Sequence, residues 1–262
     1  MTSIGIIGFG AIARHVAQEL ARGGLPCAAV LARPGREAAA QNAMGLDVVT
    51  DTAALAARAD LVVDCAGHAG LAAHGPALLG AGKRLVTLSL GALADEALAA
   101  DLKAAALHGG GVLQLASGAI GALDALAAGK VGGLEIVRYT GTKPPQGWAG
   151  SPAEGVLDLG ALKTAKTHFI GTARAAALAY PKNANVAAAV ALAGAGFDET
   201  EVRLIADPDA MQNIHRIEAE GAFGRFDFTI HGTALPDNPR SSALAAMSAV
   251  HAVRRETEWM RL

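Results

Sequence analysis

The chain has 262 residues, 52% hydrophobic and 18% charged, with a net charge of -2. That composition excludes a disordered chain and is long enough for one large or two modest domains. With no basic run and no apolar stretch of membrane-spanning length, nucleic acid and membrane surfaces are not expected partners.

Ile4-Gly5-Ile6-Ile7 reads as a buried strand, and Gly8-Phe9-Gly10-Ala11-Ile12-Ala13 follows it directly. This is a G-x-G-x-x-A turn between a strand and a helix, the pattern of a dinucleotide-binding unit. Gly8 permits the tight turn, Gly10 lets the backbone approach a pyrophosphate, and Ala13 lets the helix pack close to the strand. The helix start, with Ala11 and Ile12, points free N–H groups and a positive dipole end at the phosphates. An ordinary strand–helix turn is the plainer alternative. The apolar spacing of Ile12, Val16 and Leu20 predicts a helix over 11–22.

Further strands are predicted at 28–31, 48–50, 61–65, 84–88 and 112–115. Helices fall between them at 36–44, 52–58 (capped by Thr52), 70–81 and 94–107. This alternation predicts a Rossmann-type, doubly wound parallel sheet. Cofactor contacts belong at the carboxyl ends of its strands. NAD-preferring folds carry an acid after the second strand, but here the segment reads Leu31-Ala32-Arg33-Pro34-Gly35-Arg36. Arg33 and Arg36 suit a 2′-phosphate, or they are simply solvated arginines. The expected cofactor is therefore NADP or NAD. Ala66 and His68, after the fourth strand, lie where the nicotinamide side is contacted.

The pattern changes near Ser117. A helix is expected to open over 118–124. A strand over 134–141, a Pro/Gly loop and a helix near Thr164 come next, then a helix over 184–195. Strands over 201–206, 213–220 and 223–231 and a last helix over 241–254 complete the chain. The expected second domain is α+β, an antiparallel sheet with a few helices. The domain division expected is 1–116 with 238–262, and 117–237. Cys27 and Cys65 have no metal-ligand spacing, so no metal is expected. They read as reduced cysteines of a cytoplasmic protein, and no basic leader precedes an apolar stretch.

Two asparagines precede the apolar helix in Tyr180-Pro181-Lys182-Asn183-Ala184-Asn185-Val186, where each is placed to cap it or to bind a ligand. With this block, Gly8-Phe9-Gly10, Ser117-Gly118-Ala119-Ile120-Gly121, Lys143-Pro144-Pro145, Asn213-Ile214-His215 and Asp237-Asn238-Pro239-Arg240-Ser241-Ser242, the chain resembles the L-aspartate dehydrogenase family. The pieces run from end to end in the family's order. Arg240 stands where relatives often have Lys. The resemblance implies oxidation of L-aspartate with NAD or NADP to iminoaspartate, which yields oxaloacetate and ammonia and can feed NAD biosynthesis. It also implies a homodimer, His215 as the catalytic residue, and Ala119 and Asn185 as cofactor contacts.

From the residues alone, His215 is either an acid/base or a hydrogen-bonded structural histidine. Lys143, Lys163, Lys166, Lys182 and Arg240 are candidates for the substrate carboxylates, Lys163 because it precedes Thr164 at an expected helix start. His168, His231 and His251 read as structural. Alternative functions are a reductase of the dihydrodipicolinate or homoserine dehydrogenase type, and a nucleotide-binding redox sensor without chemistry.

Overall fold

The structure, a computed structural model, describes residues 2–181, 183–236 and 238–260, with the backbone alone at 239 and 240. The chain divides into two compact units, Met1–Ala116 with Ala245–Leu262, and Ser117–Leu244.

The first unit holds six strands, β1 Ile4–Ile7, β2 Cys27–Leu31, β3 Asp47–Val49, β4 Leu61–Asp64, β5 Arg84–Thr87 and β6 Val112–Leu115. They form one parallel sheet in the order β3-β2-β1-β4-β5-β6. The order reverses between β1 and β4, and that switch point is where such sheets open a crevice. Helices α1 Ala11–Arg22, α2 Glu37–Met44, α3 Thr52–Ala56, α4 His68–Gly80 and α5 Glu96–Gly109 connect the strands. Alternation along the strands sorts the core. Ile4, Ile6, Leu61 and Val63 join Val16 and Leu20 of α1 on one face; Ile7, Leu31, Val62 and Leu85 join Leu55, Leu71 and Leu78 on the other. Because both faces are covered, β1 and β4 are buried along their whole length. Asp51 caps α3, its carboxylate accepting from the Ala54 N–H at 2.7 Å, where the sequence suggests Thr52.

The second unit begins with a turn at Gly118, whose φ of +73° breaks the helix expected there, so α6 runs only from Leu123 to Gly132. Then come β7 Leu134–Lys143, β8 Lys166–Thr172, α7 Ala173–Ala179, α8 Asn185–Ala193, β9 Glu201–Ala206, β10 Asn213–Gly221 and β11 Gly224–Gly232. A short pair, β12 Ala234–Leu235 and β13 Asn238–Ser242, leads to α9 Ala243–Thr257. The sheet order is β11-β10-β7-β9-β8, antiparallel except for the parallel pair β7 and β9. The sheet is therefore mixed, not purely antiparallel. Val137, Tyr139, His215, Ile217, Val202 and Leu204 are buried on one face. The apolar helix α8, buried from Val186 through Ala191, packs on β7. The intervening residues of β7, β9, β10 and β11 carry exposed or half-exposed ion pairs, such as Arg138 with Glu201 at 3.1 Å and Arg203 with Glu201 at 2.7 Å. No helix forms near Thr164. β8 occupies the segment from Lys166, and α7 follows it.

From Ala245 onward the chain belongs to the first unit, where Ala249, Val250, Ala252 and Val253 of α9 complete the core face that holds Val16 and Leu20. Among the described residues no helix is long and apolar enough to cross a membrane.

Candidate active site

In the first unit, Gly8 adopts φ +88°, a conformation that L side chains rarely take, and its N–H donates to Leu31 O at 2.9 Å. The turn thus brings the ends of β1 and β2 together. Gly10 is the N-cap of α1 and offers no side chain to satisfy the helix's first N–H groups. A Cβ on Gly10 meets no protein atom within 4 Å; it projects into open space. Uncapped N–H groups, a helix dipole and an open approach together fit a pyrophosphate.

Around this turn lies a cleft of about 720 Å³, lined by Gly8, Gly10, Arg33 and Ala66 together with Phe9, Arg14, Arg36 and His74. The cleft size suits a dinucleotide half-site. No carboxylate is among its lining residues. The Arg36 guanidinium lies 5.4 Å from the Phe9 ring centre, and Arg14 donates to Phe9 O at 3.3 Å. The variable residue of the glycine motif thereby organises two cations at the mouth of the cleft. Ala11 and Ile12 open α1 beside it. His68 opens α4 after Gly67 and is not among the lining residues.

Asp64 is wholly buried at the end of β4. Its carboxylate accepts from Thr87 Oγ1 at 2.8 Å, Ser89 Oγ at 2.7 Å and the Ala66 N–H at 3.0 Å. Burial raises its carboxyl, while these three bonds pull it down. Asp64 thus pins the loop that carries Ala66. Its place inside the apolar run Leu61-Val62-Val63-Asp64-Cys65 concealed it in the sequence; a lone acid within such a run was the available signal.

In the second unit, His215 on β10 is 4% exposed and pairs across the sheet with Gly141 of β7. Its Nδ1 lies 2.7 Å from Tyr139 Oη, hydrogen-bonded. A Cβ on Gly141 would stand 2.7 Å from that Oη, so glycine is the residue that lets the phenol reach the ring. Burial pushes the Tyr139 hydroxyl up and keeps it protonated. Burial, reinforced by the nearby Lys143 charge, pushes His215 down to about 4, so the imidazole is neutral at neutral pH.

Lys143, at the end of β7, is half-buried and donates to Asn183 Oδ1 at 2.7 Å. Its Nζ lies 5.0 Å from the Trp148 ring centre. Burial brings it down to about 8. Trp148 is fixed by its Nε1 donating to Ile205 O at 2.9 Å and by the edge of His168, ring centres 4.4 Å apart. His168 Nδ1 lies 3.2 Å from Tyr180 Oη, and burial lowers that histidine to about 4.

Of the carboxylate-binding candidates, Lys143 alone stands in such a setting among the described side chains. Lys163 and Lys166 are exposed, and the helix start expected at Lys163 does not form. Lys182 lies outside the described residues, as does the Arg240 side chain. Ala119 is buried in the turn after β6, and Asn185 is the first residue of α8. The cap of α8 is Ala184 and makes no side-chain bond; Asn183 serves Lys143 instead. Tyr139 and Trp148 were not singled out in the sequence. The alternation Tyr139, Gly141, Lys143 along one strand was the signal for the first.

Residues 124–256 match the family model described as "Aspartate dehydrogenase, C-terminal", and residues 8–115 match "Homoserine dehydrogenase, NAD binding domain". An L-aspartate dehydrogenase of Ruegeria pomeroyi is 61% identical over 253 residues, covering 96% of this chain and 91% of the relative. The chain belongs to the L-aspartate dehydrogenase family. The L-aspartate dehydrogenase of Ralstonia nicotianae is 46% identical over 259 residues, 97% of each chain. Among solved structures, the aspartate dehydrogenase of Thermotoga maritima superimposes with a TM-score of 0.78 at 24% identity, covering 100% of this chain and 99% of that one, which shows the shared fold. The cleft at Gly8 and Gly10 falls within the stretch that matches the NAD binding domain, and the second unit carries a separate cluster of buried titratable groups.

Proposed function

We propose that this protein is an NAD(P)-dependent oxidoreductase that oxidises L-aspartate to iminoaspartate, which water converts reversibly to oxaloacetate and ammonia. The observation that carries the reading is end-to-end identity with L-aspartate dehydrogenases. The match of the second unit to the aspartate dehydrogenase C-terminal family disfavours the dihydrodipicolinate reductase, homoserine dehydrogenase and sensor alternatives.

Gly8, Gly10, Ala11 and Ile12 hold the pyrophosphate, and Ala66 and His68 border the nicotinamide side. Arg33 and Arg36, with no carboxylate lining the cleft, hold a 2′-phosphate, so NADP is accepted as well as NAD. Ala119 and Asn185 are cofactor contacts by the family's motif. When bound, the nicotinamide supplies the hydride acceptor. His215 is the catalytic histidine. With Nδ1 held by Tyr139, its other ring nitrogen is left for the substrate or for the water that attacks the imine. The reading extends to a homodimer, which follows from the family resemblance, and to the cytoplasm, which the two free cysteines support.

The test is reduction of NAD or NADP by L-aspartate, followed at the absorbance of the reduced nicotinamide, and the reverse reaction with oxaloacetate and ammonia. No turnover with either nucleotide across the pH range sinks the reading. His215→Ala should lower turnover by about 10²–10⁴ while leaving NADPH affinity nearly unchanged. Undiminished turnover removes His215 from the mechanism.

A further inference from the structure

We propose that Lys143, rather than His215, is the base that takes the proton from the substrate's α-ammonium group, with Asn183 and Trp148 as the positioning residues that hold its Nζ. The assignment rests on the aspartate reading above.

The geometry begins with the sheet. Alternation along β7 puts Tyr139, Gly141 and Lys143 on the same face, and His215 is the partner of Gly141 on β10. Lys143 is therefore one step along that face from the histidine, close enough for its charge to depress the imidazole. Its Nζ has one neutral acceptor, Asn183 Oδ1, and one π face, Trp148. Among the described residues it forms no ion pair.

Among the described residues, the groups facing it from each packed element are few. Tyr139 lies on its own strand, His215 on β10, His168 on β8 and Tyr180 at the end of α7; all four are uncharged at neutral pH. Asp207, after β9, donates its backbone N–H to Lys143 O at 2.9 Å, and its carboxylate accepts from the Asp209 N–H. A structural lysine is normally solvated or paired with an acid. This one is half-buried, without an acid paired to it among the described residues, on a rigid indole, beside the candidate catalytic histidine.

That setting suits a proton acceptor. Burial holds Lys143 near 8, so about a tenth of it is neutral at pH 7. Burial holds His215 lower still, near 4, so the imidazole is the weaker proton acceptor of the two. In the step assigned, the α-ammonium gives one proton to the lone pair of neutral Lys143, leaving a neutral substrate amine and a lysine cation. The Cα–H bond then breaks and its electron pair leaves as hydride to the nicotinamide of NAD(P), the two-electron acceptor of the reaction. The amine lone pair closes the C=N bond, giving iminoaspartate as its iminium cation. The new Lys143 cation also stands as a counter-charge for a substrate carboxylate.

The experiment is the pH profile of kcat/KM for L-aspartate at saturating NADP in the wild type, Lys143→Ala, Lys143→Arg and Asn183→Ala. The wild-type profile should climb with pH and level near 8. Lys143→Ala and Lys143→Arg should fall at least about a hundredfold and lose that limb, while NADPH binding, read by fluorescence, shows that both are folded. Small primary amines should restore part of the Lys143→Ala rate, more so the more basic the amine. Asn183→Ala keeps the lysine but removes an acceptor that favours its charged form, so its limb should move to lower pH. A Lys143→Ala enzyme that keeps the limb near 8, or that no amine rescues, overturns the assignment. A wild-type enzyme with no aspartate-dependent turnover overturns the aspartate reading and this assignment with it; turnover with an unchanged limb overturns Lys143 alone.

Discussion

Gly141→Ala is the sharpest test of how β7 presents the histidine. The added Cβ would stand 2.7 Å from Tyr139 Oη and 3.1 Å from its Cζ, while that Oη holds His215 Nδ1 at 2.7 Å. The phenol must swing away, and it cannot do so without leaving the ring nitrogen. Overpacking of this kind costs about 1–3 kcal/mol, and losing a buried neutral hydrogen bond adds about 1 kcal/mol. The expected destabilisation is thus about 2–4 kcal/mol. Tyr139→Phe loses the same bond without the clash and should cost about 1–3 kcal/mol, mostly from the imidazole left unpaired. With the hydroxyl gone, the nearest atom to the new Cβ is Cζ at 3.1 Å, a contact that small shifts relieve. Adding Gly141→Ala to Tyr139→Phe should then cost only about 1 kcal/mol, a coupling of about 1–3 kcal/mol between the two sites. Urea unfolding of the four proteins measures the cycle, and aspartate turnover should fall in all three variants. Additivity within about 0.5 kcal/mol would show that Gly141 does not act through the tyrosine.

Two further outcomes follow from the charges. Arg33→Ala and Arg36→Ala should each raise the Kd for NADPH about tenfold and leave that for NADH within about twofold, as read by fluorescence titration; equal effects on both nucleotides would remove the 2′-phosphate role. Acid should weaken the protein before its carboxylates titrate. His168 and His215 are lowered from 6.5 to about 4 by folding, so between those values the unfolded chain binds more protons than the folded one. Stability therefore falls as pH drops through that window, by up to about 3 kcal/mol for each histidine. Chemical unfolding at a series of pH values checks the slope, and His168→Phe should flatten it; constant stability from pH 7 to 4 would contradict the burial argument.

The first unit was almost fully legible in the sequence because its signals are local. A parallel strand buried on both faces is a short apolar run, as in Ile4-Gly5-Ile6-Ile7, and the buried residues of α1, Ala13, Val16 and Leu20, repeat at the helical period. The phosphate turn needs two glycines at fixed spacing, so it is written in consecutive residues. The second unit was harder to read. β8 contains Thr167, Phe169 and Ile170 but follows the largely apolar stretch Leu157-Asp158-Leu159-Gly160-Ala161-Leu162, which Asp158 turns by accepting from the Gly160 and Ala161 N–H groups, and the helix expected at Thr164 is absent. The parallel pairing of β7 with β9 depends on which strands meet, and no local pattern encodes that.

What the sequence by itself determined, then, is the fold class, the dinucleotide turn and, through scattered blocks of residues, the family. Those properties follow from short-range periodicity and from residue types that only particular backbone positions accept. The partners of the reactive groups were decided by the tertiary structure alone. Tyr139 and His215 are 76 residues apart, and Lys143 and Asn183 are 40 apart. Only sheet register brings the first pair together, and only the placing of the loop before α8 brings the second. The same burial sets a neutral histidine beside a lysine held near 8, because proton affinity depends on the surrounding solvent and charge, which a linear sequence does not specify.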